Sequence, residues 1–437
     1  MKSPLPEYLK HVLTQCKQDS GQTAQYIPEL ASANPDHLGV ALCTIDGDMY
    51  AAGDTEVEFA IESISKAFVY AIALEDRGFD GVAKKVGVEP SGDPFNQLSL
   101  DPKTGRPDNP LINAGAITTH TLVNGKTPQD RYDRVADVLS RCAGRKLRVM
   151  EDVYSSEMKT ADRNRALAYM LHMTGIIEGD PMAAVEYYTR QCSLAVTAKD
   201  LAVMTATLAN RGRQPVTKEQ IFSPDVMVRV QSVMLTCGMY DYAGDWVTAV
   251  GIPSKSGVGG GIIGSLPGQV GIATFSPQLE EHGNSYRGIK IFEHMSDKMG
   301  LHLLKVVPPS QSAVRRDKTV KLPSRPGHPA NLRVVAVQGA VNFVAAEHVS
   351  RHLVSIQPKD DVGIVLDLRA VTMMYDVGKM LLADTVEGLI ADGHKVALID
   401  PDGVLPKDKM GAADRPGTLK ELLPQGAVAG ENQLGEF

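Results

Sequence analysis

Several features are absent from this sequence, and each absence removes a class of function. Its 45 lysines and arginines are interspersed with 52 aspartates and glutamates for a formal net charge of -7, and they form no basic patch. Without such a patch to neutralise a phosphate backbone, nucleic acid is not an expected partner. The start, Met1-Lys2-Ser3-Pro4-Leu5-Pro6-Glu7, lacks a basic end followed by an apolar run, and no later stretch has the apolar length that spans a bilayer. The expectation is a cytoplasmic protein without a membrane partner. Cysteine is scarce: Cys16, Cys43, Cys142, Cys192 and Cys237 are scattered, odd in number and free of any Cys-x-x-Cys pair. That spacing speaks against a zinc ribbon or a dithiol exchange pair and for reduced, buried thiols. No repeat of solenoid or propeller length occurs, and no motif implies a metal, nucleotide or organic cofactor.

What is present is enough chain for more than one core: 437 residues with 43% hydrophobic content. Helical patterns and glycine-rich strand signals mix up to about residue 305, giving a large α/β or α+β domain over residues 1-306. Residues 307-330, from Pro308-Pro309-Ser310 to Pro326-Gly327-His328-Pro329, are rich in proline and charge and read as an exposed linker. Beyond it, strands are expected at Leu332–Val337, Val362–Leu368 and Lys395–Asp400, with helices after Asn342 and from Val377 to Gly393. That alternation predicts a small α/β domain over 331-406. Residues 407-437, polar and glycine-rich, read as a C-terminal tail.

The chemistry is concentrated around Phe59-Ala60-Ile61-Glu62-Ser63-Ile64-Ser65-Lys66. Ser63-x-x-Lys66 opens an apolar run, and positions three apart share a helical face. A hydroxyl at a helix start sits where backbone N–H groups favour developing negative charge. Burial against apolar neighbours can leave a lysine amine neutral and able to take the serine proton. A second segment, Lys255-Ser256-Gly257-Val258-Gly259-Gly260-Gly261, resembles the Lys-(Ser/Thr)-Gly strand of penicillin-recognising serine enzymes. Its glycines allow close backbone approach, and the N–H groups of Val258 and Ser63 could form an oxyanion hole. The residues alone leave open a capped helix start beside a glycine-rich hairpin, and a serine acyl-transfer enzyme of undefined substrate.

Further segments narrow the choice. Tyr26-Ile27-Pro28-Glu29-Leu30-Ala31, Asn109-Pro110-Leu111-Ile112-Asn113-Ala114-Gly115, Ser156-Glu157 with Arg163-Asn164, Tyr188 before Cys192-Ser193, and Met239-Tyr240-Asp241 flank the two motifs. In that order, over about three hundred residues, they resemble the serine-dependent β-lactamase-fold glutaminase family. The resemblance implies a β-lactamase or penicillin-binding-protein-like catalytic domain that hydrolyses L-glutamine to L-glutamate and ammonia without a cofactor. It implies Ser63 as nucleophile, Lys66 as its basic partner and Tyr240 as proton shuttle, with Tyr188 against the same group. It further implies Glu157 facing the substrate ammonium, Asn113, Asn164 and Tyr26 holding its carboxylate and amide, and Val258 as an oxyanion donor. The family assembles as homodimers or homotetramers. Glutamine should be preferred over asparagine, by roughly 1–3 kcal/mol for the methylene. Glu62 departs from the family pattern, which has glutamine before the nucleophile.

Residues 332 to 405 resemble the sulfate-transporter and anti-sigma-factor-antagonist (STAS) domain through the strand Val362–Leu368 and Tyr375-Asp376-Val377-Gly378. Switchable members carry a phosphorylatable serine where Val377 stands, so a docking, dimerising or small-ligand-sensing role is implied instead of phosphoryl switching. Two rivals compete with the whole assignment. A penicillin-interactive acylase would work outside the cytoplasm and carry a Ser-Asp-Asn segment, which is missing here. A scaffold with a relic catalytic domain would have no need for intact Ser63, Lys66, Tyr240 and Val258.

Overall fold

In Gly39–Thr44, Val40 and Leu42 join one apolar cluster while Ala41 and Cys43 join another. This is the period of two by which one strand serves two faces of a sheet. The computed structural model describes residues 5–18, 21–91, 100–305, 313–321, 331–356 and 362–405. They divide into two compact units, Met1–Val306 and Val307–Phe437.

The strands of the first unit are β1 (Gly39–Thr44), β2 (Met49–Gly53), β3 (Phe59–Ala60), β4 (Ala195–Val196), β5 (Ser254–Gly257), β6 (Gly261–Leu266) and β7 (Val270–Phe275). An antiparallel sheet runs in the order β2-β1-β7-β6-β5. β3 and β4 form a separate short ladder, Phe59 opposite Val196 and Ala60 opposite Ala195. Helices Leu5–Gln15 and Tyr286–Lys298 cover one face of the large sheet through Leu9, Val12, Phe292 and Met295. Helices Ser65–Ala83 and Ala198–Ala209 cover the other through Phe68, Leu201 and Met204. A third apolar cluster ties Asn113–Leu122, Asp162–Met173 and Pro181–Cys192 together around Ile117, Leu167, Leu171 and Val185. These three helices carry Asn113, Asn164 and Tyr188, so their packing positions site residues that are remote in sequence.

Helix Ala198–Ala209 starts at a capping box between Thr197 and Asp200 and lies unusually close to β7. A Cβ at Gly271 would meet Ala206 N at 2.1 Å and Ala202 O at 2.6 Å, both backbone atoms that cannot swing away. Gly271→Val should therefore destabilise the unit by about 3 kcal/mol, seen as a lower urea midpoint. An unchanged midpoint would mean that this contact does not set the helix-to-sheet distance.

The second unit contains β8 (Val314–Lys321), β9 (Asn331–Val341), β10 (Val362–Met374) and β11 (Val396–Ile399), ordered β11-β10-β9-β8. β9, β10 and β11 pair in parallel, while β8 adds antiparallel to β9. Helices Phe343–Val354 and Asp376–Ala391 pack on one face through Val349, Leu353, Leu382 and Val386. β8 corrects the expected linker over 307-330. Its charged run, Arg315-Arg316-Asp317-Lys318, looked like a solvated connection, yet charges are tolerated on an edge strand. Asp317 explains the pairing: it accepts from Arg333 at 2.7 Å on β9 and meets His352 at 2.7 Å. Segments 307–312 and 322–330 and the expected tail lie outside the described residues, as does the side chain of Val377.

No helix among the described residues is long and apolar enough to cross a membrane. All five cysteines are free and buried.

Candidate active site

Ser63 sits in a single 3₁₀ turn, Glu62–Ile64, and Lys66 in the first turn of the α-helix that follows, Ser65–Ala83. The sequence pattern had placed both in one helix; the tighter turn still brings residues three apart onto the same side. The β3–β4 ladder leads directly into this turn, where Ile61 N–H donates to Leu194 O at 2.8 Å. Glu62 adopts φ 49, the left-handed region that a side chain other than glycine seldom occupies. Its carbonyl is held by the Ser65 hydroxyl, which donates at 2.7 Å. Ser65 in turn accepts from Gln191 Nε2 at 3.0 Å, and Gln191 Oε1 bonds His120 Nδ1 at 2.8 Å. Burial pushes His120 down to about 4, so this chain is a neutral brace. Its members look like ordinary polar residues in the sequence, and no local signal pointed to them.

The Ser63 side chain is hydrogen-bonded to the Tyr240 side chain, and the Tyr240 hydroxyl also donates to Ser256 O at 3.2 Å. Tyr240 is itself in a left-handed conformation, φ 57. Burial, opposed by the Ser63 and Ser256 side-chain hydroxyls, lifts its phenol to about 12. Near neutral pH it is therefore a protonated donor. Lys66 is fully buried, and burial brings its amine down to about 8. The amine is turned to Asn113, donating to Oδ1 at 2.7 Å. Asn113 Nδ2 donates to Asn164 Oδ1 at 3.0 Å, and the Tyr188 hydroxyl reaches Asn113 Oδ1 at 3.4 Å. Ser63, Lys66, Tyr240, Asn113, Asn164 and Tyr188 thus form two hydrogen-bonded groups joined by the turn that holds Ser63 and Lys66.

Lys255 on β5 is a second fully buried amine, which the sequence pattern placed in the motif without assigning it to the site. It donates to Ser256 O at 2.7 Å and lies 4.1 Å from the centre of the Tyr240 ring. Burial first, then the charge of Lys66, holds it well below the ordinary lysine range. β5 runs past the Ser63 turn at close range: a Cβ at Gly257 would meet Ile61 O at 3.1 Å and Glu62 Cβ at 3.3 Å. Even a methyl group there would press on the turn, so glycine suits this close passage of the strand. Val258 follows, packed with Ile27, Ala60 and Val153.

A third group is acidic. The Tyr26 hydroxyl donates to Glu157, although as a residue Tyr26 is 47% exposed. The other side of Glu157 carries Oε1, which is buried without a hydrogen-bond partner among the described residues. Glu62, 5% exposed, likewise has a buried, unpartnered Oε1. Burial chiefly raises both carboxyls, and for Glu62 the charge of Glu157 adds to the effect. Unsatisfied buried carboxylate oxygens are costly. A cationic group reaching them would relieve that cost. A cavity of about 490 Å³ borders Tyr240 and is lined also by Asn109, Leu111, Ile112 and Asp241.

A family model described as glutaminase matches residues 21–304, a span that includes every site residue named above. The chain belongs to the glutaminase family. A glutaminase of Corynebacterium efficiens is 46% identical over 408 residues, covering 92% of this chain and 94% of the relative. Among solved structures, a crystal structure of Mglu superposes with a TM-score of 0.84 at 44% identity, covering 93% of this chain and 100% of that one. Mglu in its glutamate form gives a TM-score of 0.84 at 40% identity, with the same coverage. These extents take in most of the second unit as well as the glutaminase match.

Proposed function

We propose that this glutaminase hydrolyses L-glutamine to L-glutamate and ammonia through an acyl-enzyme on Ser63. The observation that carries the reading is the Ser63–Tyr240 hydrogen bond beside a buried lysine brought down to about 8. Neutral Lys66 takes the proton of the Ser63 hydroxyl, and Ser63 Oγ bonds to the carboxamide carbon as the C=O π pair moves onto oxygen. The oxyanion rests on the N–H groups of Ser63 and Val258. Tyr240 passes its proton to the leaving nitrogen and is restored by the proton that Lys66 took from Ser63; the oxyanion pair re-forms the C=O bond as the C–N pair leaves on nitrogen, and ammonia departs. Water then attacks the ester, returning the serine proton and releasing L-glutamate. The amino-acid end of the substrate is held by Glu157 at its ammonium and by Tyr26, Asn113 and Asn164 at its carboxylate and amide, with Tyr188 closing the reacting end.

Support comes from the partnerless Oε1 of Glu157, an acceptor suited to an ammonium, and from a neighbour solved in a glutamate form. In the same reading the first unit is a serine β-lactamase-like domain. The second is STAS-like on its element order, a docking or small-ligand-sensing module of a cytoplasmic homodimer or homotetramer.

The test is ammonia release from L-glutamine, with L-asparagine and D-glutamine as controls. No release, with or without phosphate, would sink the reading. Glu157→Gln should raise KM and lower kcat/KM roughly 10- to 100-fold, the worth of a hydrogen bond to a charged group. A kcat loss with KM unchanged would place Glu157 at the reacting end instead.

A further inference from the structure

Glu62 combines three features that packing alone does not require. Its backbone is left-handed at φ 49, its side chain is 5% exposed, and its Oε1 has no partner among the described residues. The polar brace from His120 through Gln191 and Ser65 holds its carbonyl, so the conformation is enforced from outside the residue. Backbone strain of this kind persists only where the surroundings over-determine it. Gly257 and Gly259 leave the room in which its Cβ and Cγ lie, 3.3 Å and 3.6 Å from where glycine Cβ atoms would be.

We infer that Glu62 is a positioning residue of the ammonium pocket: with Glu157 it holds a single proton before substrate binds, and it gives that proton to solvent when a cationic amino group enters. Substrate binding and proton release are then coupled. This rests on the glutaminase reading given above, in which Glu157 faces the substrate ammonium.

The charges around Glu62 decide the direction. The charge of Glu157, on helix Glu151–Lys159, acts on it, with Glu29 from Pro28–Ala31 acting on Glu157 in turn. Tyr26, Tyr188 and Cys192, and Tyr240 approach from three further segments, all held protonated by burial. The cations are Lys66 and, beyond it, Lys255, and burial presses both toward the neutral amine. Two carboxyls therefore lack a full counter-charge, and desolvation raises each of them. An entering ammonium supplies the missing cation and makes the doubly ionised pair stable. Because the bound state carries fewer protons, affinity rises with pH while Glu62 is protonated in the free protein, and weakens as the pH falls.

The experiment uses the Ser63→Ala full-length chain, which can bind L-glutamine without turning it over. Calorimetric titration with L-glutamine in buffers of different ionisation enthalpy counts the protons exchanged. The expected result is release approaching about one proton per site, with affinity changing by up to about 10-fold per pH unit. Adding Glu62→Gln should bring release close to zero and flatten the pH dependence. Glu62→Asn, which tolerates the left-handed backbone better, should do the same and guards against misfolding of the first variant. Equal proton release with and without the Glu62 carboxyl would overturn the inference, as would no release in the parent. Failure of the parent to bind L-glutamine at all would overturn the underlying reading, and this inference with it.

Discussion

Ser63→Ala should lower kcat for L-glutamine on the order of 10⁴-fold or more, because the proposed mechanism carries the acyl group on its hydroxyl. The change removes one oxygen from a residue that is 7% exposed and leaves in place the Ile64 N–H to Ile61 O bond and the Ser65 hydroxyl to Glu62 O bond of the turn. Stability should therefore stay within about 1 kcal/mol of the parent. Ammonia release and urea unfolding, measured on the same preparation, separate lost chemistry from lost folding. A variant that folds and still releases ammonia at a tenth of the parental rate would remove Ser63 as nucleophile. Attention would then move to Tyr240, whose hydroxyl shares the hydrogen bond with Ser63.

Lys66→Met is the second large effect, expected to cost about 10³-fold in kcat. The amine must be neutral to take the serine proton, and burial places its ionisation at about 8. In the parent, kcat should rise with pH through about 8, since the neutral fraction grows in that direction. The acid limb should be absent from the residual activity of the variant. Stability follows pH in the same direction. The folded-state value lies below that of the unfolded chain, so the folded protein binds fewer protons between the two values, and stability falls as pH drops through that window. Below about 8 the desolvated charge is carried in full. Methionine removes it, so the variant should be as stable as the parent or more so at neutral pH. A variant that lost activity and stability together would indicate that the 2.7 Å bond from Lys66 to Asn113 holds the site together, and that the amine is not the base.

Two motifs of the candidate site were legible in the sequence. Ser63-x-x-Lys66 and Lys255-Ser256-Gly257 are local spacings with local causes, a turn into a helix and a strand passing close to it. The parallel strands of the second unit were legible for a similar reason, as continuous apolar runs such as Val362–Leu368 belong to strands buried on both faces. β8 was not, because an edge strand needs only one ladder and one apolar side, and its charges read as solvent exposure. The brace His120–Gln191–Ser65 was equally hidden: each residue is ordinary, and only the fold aligns them under the Glu62 carbonyl.

The sequence by itself determined the family, the Ser63-x-x-Lys66 spacing and the order of the segments, since these depend on residue type and on position along the chain. The tertiary structure alone decided that Ser63 bonds Tyr240 while Lys66 turns to Asn113, that Lys255 is a second buried amine, and that Glu62 and Glu157 each bury an Oε1 with no hydrogen-bond partner among the described residues. The physical reason is burial. Whether a lysine is a base, a phenol a donor or a carboxyl a proton store depends on which neighbours replace water, and those neighbours come from helices and strands far apart in the chain.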